Sequence, residues 1–363
     1  MNKIIYLDAA ASALKPDGVI AAEVDFLRTK YANAGRGICA RAAAVDEMVA
    51  DARARVAGFI NAAPHQIVFS AGATDGLNRV VRLVGADKKI RVAVSDIDHH
   101  SARMPWMAAG ADIVKIGLDA NYNYDLSSIP SADVIVITAM SNVFGVAQPV
   151  AAIIAAARQK NPNVIAVVDA AQYAAHLPIN ATDWNADFIC FSGHKIGADT
   201  GVGIMYMREP ERWGPDKFGG GMVNKITDDE WILNDAPERF EAGTLPLTQI
   251  AGLVPAIDAW CEKSGAAVQR RLYDALSKNP RIRIYTAPDA AVLTFTAADM
   301  HALDLGAIAG ARGLCMRVGN MCATWAMKLI DAPSGGVARL SAGPWNTVED
   351  ADNAVEIING IVK

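Results

Sequence analysis

Asp169 closes the apolar run "VIAVVD", and Lys195 follows the next strand-like run in "DFICFSGHKIGADTGVGIMY". A lysine near the end of a buried strand is exposed, paired with an acid, or kept neutral for chemistry, because an unpaired buried ammonium is costly. An acid and a lysine at neighbouring strand ends suit a pyridoxal 5′-phosphate (PLP) site. There the lysine condenses with the cofactor's aldehyde, and the acid keeps the pyridine nitrogen protonated so that the ring withdraws electrons. A strand-end salt bridge uses the same two residue types, and on this pair alone both readings stand.

Three further features bear on the choice. "FSAGATDGLN" places Gly72, Ala73 and Thr74 at a strand-to-helix turn, where free N–H groups and the helix dipole favour an anion by about 0.3–1 kcal/mol. Ser192 and His194 flank Gly193 beside the lysine and could complete a phosphate cup. "SDIDHH" puts His99 just after the run "IRVAVS", available to stack on a flat ring. Taken singly, each has a structural reading: an ordinary N-cap, a turn, a strand-end histidine.

The elements that must position these residues alternate between helix-like and strand-like through the first two thirds of the chain, as in a mainly parallel sheet covered by helices on both faces. "ARAAAVDEMVADARARVAGFI" and "GATDGLNRVVRLVG" read as helices. "QIVFS", "IRVAVSDI", "DVIVITAM", "VIAVVDAA", "FICFSG" and "GVGIMYM" read as strands, and several end in polar residues, where open α/β sheets bind ligands. After about Ala251 the pattern becomes that of a small α+β domain. One continuous helix is expected at the join. The "GVG" and "GGGM" glycines do not follow the dinucleotide-binding spacing at a first strand-to-helix turn.

The chain has 363 residues, 52% hydrophobic and 20% charged, enough for one large and one smaller core. A formal net charge of -5 with no long run of either sign favours neither nucleic acid nor an anionic membrane. "MNKIIYLDAAASALKP" is too short and polar in its apolar part for a signal peptide, and later apolar stretches are interrupted well before the roughly 20 residues a membrane helix needs. A cytoplasmic protein is expected. Cys39, Cys190, Cys261, Cys315 and Cys322 form no C-x-x-C pair or His/Cys cluster, so neither a structural metal nor a disulfide framework is signalled. Cys190 and Cys315 read as core and Cys39 as structural.

In order along the chain, "YLDAAASALKP", "YANAGRGI", "VFSAGATDGLN", "DHHSARMPW", "MSNVFGVAQPV", "VVDAAQYAAH", "FSGHKIGADTGVGIMY", "FGGGMV", "RFEAGT", "RVGNMCA" and "ARLSAGPWNT" resemble the class V aminotransferase-like, fold-type I PLP enzymes. The likeness is greatest to cysteine desulfurases of the SUF type, with selenocysteine lyases as near relatives. It implies an α/β large PLP-binding domain with a mainly parallel seven-stranded sheet over residues 16–250. It also implies a small α+β domain over 251–363 that includes 1–15. By this resemblance Lys195 holds the cofactor aldehyde and shuttles protons, Asp169 pairs with the pyridinium, Gln172 bonds the phenolic oxygen, and His99 stacks on the ring. The phosphate falls to Ala73, Thr74, Ser192 and His194, with Thr244 reaching the phosphate of a neighbouring subunit in a homodimer. Asn142 and Arg339 match positions that bind the substrate carboxylate, for which arginine offers a two-pronged fork.

Cys322, in "RVGNMCATW", falls where the resemblance places a sulfur nucleophile that takes a persulfide from L-cysteine, leaving L-alanine, for iron–sulfur or related assembly through an acceptor or scaffold protein. A free thiol is only a few per cent ionised at neutral pH, so it needs help from positive charge, with Arg317 as a candidate, or from substrate proton transfer. The chain departs from the family pattern where two histidines commonly precede the cysteine (here Asn320 and Met321), at Ala139, at Ala73 and in a shortened small domain. These changes spare the PLP apparatus and bear on rate, substrate and acceptor. Two other readings are a PLP lyase, epimerase or transaminase in which Cys322 is incidental, and a non-catalytic binding protein on the same fold. An imine-forming lysine has no use in the latter.

Overall fold

The structure, a computed structural model, describes residues 4–35, 37–85, 89–262 and 265–363. Arg36 of "YANAGRGI", the first three residues of the N-terminal stretch and two residues at the expected join lie outside the described residues.

The chain begins with strand β1 (Ile5–Tyr6) and helices α1 (Asp17–Asp25) and α2 (Ala40–Phe59). There follow β2 (Ile67–Ser70), α3 (Ala73–Val84), β3 (Arg91–Ser95), α4 (His100–Ala108) and β4 (Asp112–Ile116). Next come β5 (Val134–Thr138), α5 (Val150–Lys160), β6 (Ile165–Asp169), α6 (Ala181–Trp184), β7 (Phe188–Ser192) and β8 (Gly203–Met207). A short hairpin, β9 (Val223–Ile226) and β10 (Trp231–Leu233), precedes α7 (Leu247–Ala251), α8 (Leu253–Asp258) and α9 (Ala266–Leu276). The last part holds β11 (Ile282–Ile284), β12 (Leu293–Ala297), α10 (Ala302–Ala311), β13 (Leu314–Cys315) and β14 (Arg317–Gly319). It closes with α11 (Thr324–Leu329), β15 (Val337–Leu340) and α12 (Val348–Asn359).

Seven strands form one sheet in the order β2-β8-β7-β6-β5-β3-β4, parallel throughout except for β8, which runs against both neighbours. The six runs read as strands from their apolar pattern all lie in it. Their residues are buried almost end to end because helices cover both faces. In β5, Val134 and Val136 join one core cluster and Ile135 and Ile137 another, as the twofold alternation of a strand requires. The seventh strand, β4, escaped the pattern. It lies at the sheet's edge with Asp112 and Lys115 exposed, as edge strands commonly do.

A second, antiparallel sheet, β11-β12-β15-β14, has its own core of Leu272, Leu293, Phe295, Leu340 and Ile358. Ile5 and Leu7 join that core, and β1 pairs with β13, so the N-terminal segment is tied to the C-terminal part of the chain. The expected continuous helix at the join is instead broken. Gly252 separates α7 from α8, where Pro255 has no N–H for the Ala251 carbonyl, and α9 starts after Gly265 at φ +80°. Among the described residues no helix is long and apolar enough to cross a membrane.

Candidate active site

The parallel register aligns the ends of the central strands. Asp169 pairs with Thr138 on one side and Cys190 on the other, and Ser192 ends β7. Above these ends, against the N-terminal segment and the second sheet, lies a cavity of about 570 Å³. Lys195, Asp169, Gln172, His99, Ala73, Thr74, Ser192, His194, Asn142, Arg339 and Cys322 all line it, as does Arg317.

Lys195 stands on a single turn of 3-10 helix, Gly193–Lys195, immediately after β7. Its Nζ donates to the carbonyl of Ala10 and, at 3.3 Å, to Gln172 Oε1. Burial, reinforced by the charge of Arg339, pushes the Lys195 amine down to about 8. Far more of it is therefore neutral near physiological pH than of an ordinary lysine. Asp169 accepts from the Ala171 N–H at 3.0 Å, and burial raises its carboxyl above the ordinary range. A cation placed against it would reverse that shift. His99 caps the N-terminus of α4, its Nδ1 accepting from Ser101 N–H at 3.1 Å, and burial lowers the proton affinity of its ring.

One end of the cavity is built for an anion. The first N–H groups of α3 lack acceptors within their own helix. Ala73 N–H donates to Ser192 Oγ at 2.8 Å, which holds the serine at the helix start, and Thr74 Oγ1 meets Ser101 Oγ at 2.7 Å. Gly72 turns the chain here at φ +143°, and a side chain at Gly203 would collide with its backbone at 2.4 Å. Beside them His194 Nδ1 is buried without a partner, and burial together with the charge on Lys195 pushes that imidazole down to about 4. A neutral ring with an unused nitrogen, a helix start and two hydroxyls match a phosphate.

The opposite end carries the arginines. Asp8 bridges Arg339 Nη2 at 3.2 Å and Arg317 Nη2 at 2.8 Å. Arg339 is only 3% exposed and also donates to the Asn142 carbonyl at 3.0 Å, while its Nε and the Asn142 Oδ1 are left buried without partners. Such orphan groups on a cavity wall are expected where a polar ligand completes them.

Cys322 is exposed on the rim, in the loop between β14 and α11. Met321 and Cys322 both take left-handed backbone, at φ 53° and 52°, a conformation that costs about 1–3 kcal/mol for each non-glycine residue. Bonds from three directions hold it: Asn142 Nδ2 to Met321 O at 2.8 Å, His100 N–H to Cys322 O at 2.8 Å, and Ala323 N–H to Asn320 O at 2.9 Å.

Thr244 is the one candidate that the single chain does not bring to this cavity. It is exposed beside Glu241 and Gly243, lining a separate groove with Asn33, Asp46 and Arg53. Cys190 is fully buried, as its strand pattern implies, whereas Cys315 is only partly buried on β13 and Cys39 is exposed. Sequence reasoning passed over Asp8, Thr138, His100 and Ser101. Asp8 and Thr138 follow apolar runs, the signal that singled out Asp169. His100 and Ser101 sat unremarked inside "DHHSARMPW".

A family model described as Aminotransferase class-V matches residues 5–354. A cysteine desulfurase of Klebsiella pneumoniae is 33% identical over 99% of this chain and 94% of its own length. An apo structure of a cysteine desulfurase from Thermococcus onnurineus NA1 superposes with a TM-score of 0.93 at 28% identity, covering 99% of this chain and 94% of that one. A crystal structure of a cysteine desulfurase (S-sulfonic acid) from Escherichia coli gives a TM-score of 0.89 at 29% identity over 98% and 94%.

Proposed function

From the premise that the chain belongs to the aminotransferase class-V family, we propose that it is a PLP-dependent cysteine desulfurase. It takes the sulfur of L-cysteine onto Cys322 as a persulfide and releases L-alanine. The observation that carries this reading is the convergence, on one cavity, of a buried amine next to an acid, an anion cup, a buried arginine and a rim cysteine.

PLP fits the residues present: Lys195 would hold its aldehyde carbon, Asp169 its ring nitrogen, Gln172 its phenolic oxygen and His99 its face. Ala73, Thr74, Ser192 and His194 would take the phosphate, the group that the unpartnered His194 Nδ1 lacks. Bound there, the cofactor would supply an electron-withdrawing ring that lets the bonds at the substrate Cα and Cβ be polarised. Arg339 would orient the substrate carboxylate with the Nε–H that has no partner in the protein, and Asn142 would add an N–H of its amide, because its Oδ1 can only accept. With the substrate so placed, the Cys322 thiolate attacks the substrate sulfur and the C–S bond breaks. The bonding pair stays with carbon, and a proton from Lys195 Nζ completes the methyl group of alanine. The new S–S bond leaves the sulfur on Cys322, at the rim where an acceptor protein can reach it.

The large part of the chain, residues 16–250, would carry the cofactor end, and residues 251–363 with 1–15 the arginine and cysteine end. A second copy would bring Thr244 to the neighbouring phosphate, making a homodimer the working unit, in the cytoplasm, feeding iron–sulfur or related assembly. The test is alanine release from L-cysteine by purified enzyme, with L-selenocysteine in parallel. Lys195→Ala is expected to lose the visible absorbance and all turnover, and Cys322→Ser to keep the absorbance and lose turnover of cysteine. Alanine release by Cys322→Ser at the wild-type rate contradicts the persulfide step.

A further inference from the structure

The start of α4 serves the cavity and the cysteine loop at once. His99, its N-cap, and His100, the first helical residue, both line the cavity, and His100 also bonds the loop that carries Cys322. The His100 N–H belongs to the first turn of the helix and has no acceptor there; the Cys322 carbonyl supplies one at 2.8 Å. On the same residue the side-chain Nε2 accepts from the Thr324 N–H at 3.2 Å and lies 2.9 Å from Thr324 Oγ1. That bond needs Nε2 unprotonated, and burial lowers the proton affinity of this ring. The imidazole also packs edge-on against Trp325, with centroids 5.5 Å apart. Three residues on, Arg103 lays its guanidinium over the Trp325 ring at 4.2 Å and is itself held by Asp96. Cys322, Thr324 and Trp325 are thus all docked on one helix.

We propose that His100 is a positioning residue for sulfur transfer: by holding Cys322 O and the Thr324 N–H together it pins the strained cysteine loop to the helix that also presents His99. This rests on the reading of Cys322 as the group that takes the sulfur. Without the imidazole, the Thr324 N–H loses its acceptor, and the backbone that keeps Met321 and Cys322 left-handed has one tether fewer.

The experiment compares wild type, His100→Leu and His100→Gln as holoenzymes. A glutamine amide oxygen can occupy the place of Nε2; leucine cannot accept. The first readout is hydrogen exchange in the peptide spanning Asn320 to Trp325. The second is kcat and KM for alanine release from L-cysteine, with PLP affinity as the control for folding. In His100→Leu, exchange at Thr324 should speed up and kcat should fall, each roughly tenfold, about the weight of one lost hydrogen bond. KM and PLP affinity should hold, and His100→Gln should recover both quantities. If His100→Leu does not retain PLP, His100→Asn, too short to reach Thr324, takes its place with the same expectations. Unchanged exchange in the leucine variant overturns the proposal, as does faster exchange with an unaltered kcat. Cys322→Ser, run alongside, separates the two ideas: full turnover in that variant sinks the sulfur-transfer reading, while the exchange result still decides whether His100 pins the loop.

Discussion

Replacing Lys195 by methionine should change the pH dependence of stability in a direction set by the buried amine. In the folded protein freed of PLP, the amine releases its proton near about 8, pushed there by burial and by Arg339. In the unfolded chain it does so near its ordinary value of about 10.4. Between these two values the unfolded state binds the extra proton, so wild-type stability rises with pH across the window and this contribution is flat below it. A depression of this size corresponds to about 3 kcal/mol of unfavourable charge burial at neutral pH, and allowing for the water that reaches the cavity brings it to about 2 kcal/mol. Lys195→Met removes that slope. The hydrogen bonds to Ala10 and Gln172 are lost at every pH, so the comparison between two pH values isolates the charge. Urea unfolding of both proteins at pH 7 and pH 10 is the assay. The variant should gain about 2 kcal/mol relative to wild type at pH 7 compared with its standing at pH 10. A difference between the two proteins that is the same at both pH values would refute the reasoning, because it would mean that the amine titrates like a surface lysine.

Arg339→Met should lower kcat/KM for L-cysteine by roughly 30-fold or more, the weight of a charge-assisted pair, read in steady-state kinetics. The same change should raise the pH midpoint for acylation of Lys195 in the PLP-free protein, since the Arg339 charge helps depress it; competitive labelling with acetic anhydride reads it. Arg53→Met should destabilise by about 3–5 kcal/mol in urea, because it leaves a buried carboxylate unpaired. Arg53 forks onto Glu241 with two bonds of 2.8 Å, and Glu241 also accepts from the Phe69 N–H at 2.7 Å.

The sheet and the strand-end side of the cavity were legible because parallel strands advertise themselves locally. Runs such as "VIAVVD" and "FICFS" are buried on both faces and stop at the residue that meets the cavity. Asp169, Ser192, Thr74 and Lys195 could therefore be collected from single short windows. What the sequence hid depends on long-range closure. Asp8 matters through Arg317 and Arg339, more than 300 residues further on, and no local pattern predicts that bridge. Arg317 could be named as a candidate charge but not placed. The strand β4 alternates imperfectly because one of its edges meets solvent, and the helical period across the join conceals the break around Gly252, where Pro255 has no N–H to offer the Ala251 carbonyl. Thr244 shows the limit of one chain, since its expected partner belongs to a second copy.

Mass spectrometry of the Cys322 peptide, after brief exposure of the PLP-bound enzyme to L-cysteine and quenching with an alkylating agent, addresses the sulfur-transfer claim most directly. The account predicts a gain of one sulfur atom on Cys322, absent in Lys195→Ala. Alanine formed in full yield with Cys322 unmodified, or the extra sulfur found on Cys39 or Cys261 instead, would contradict it.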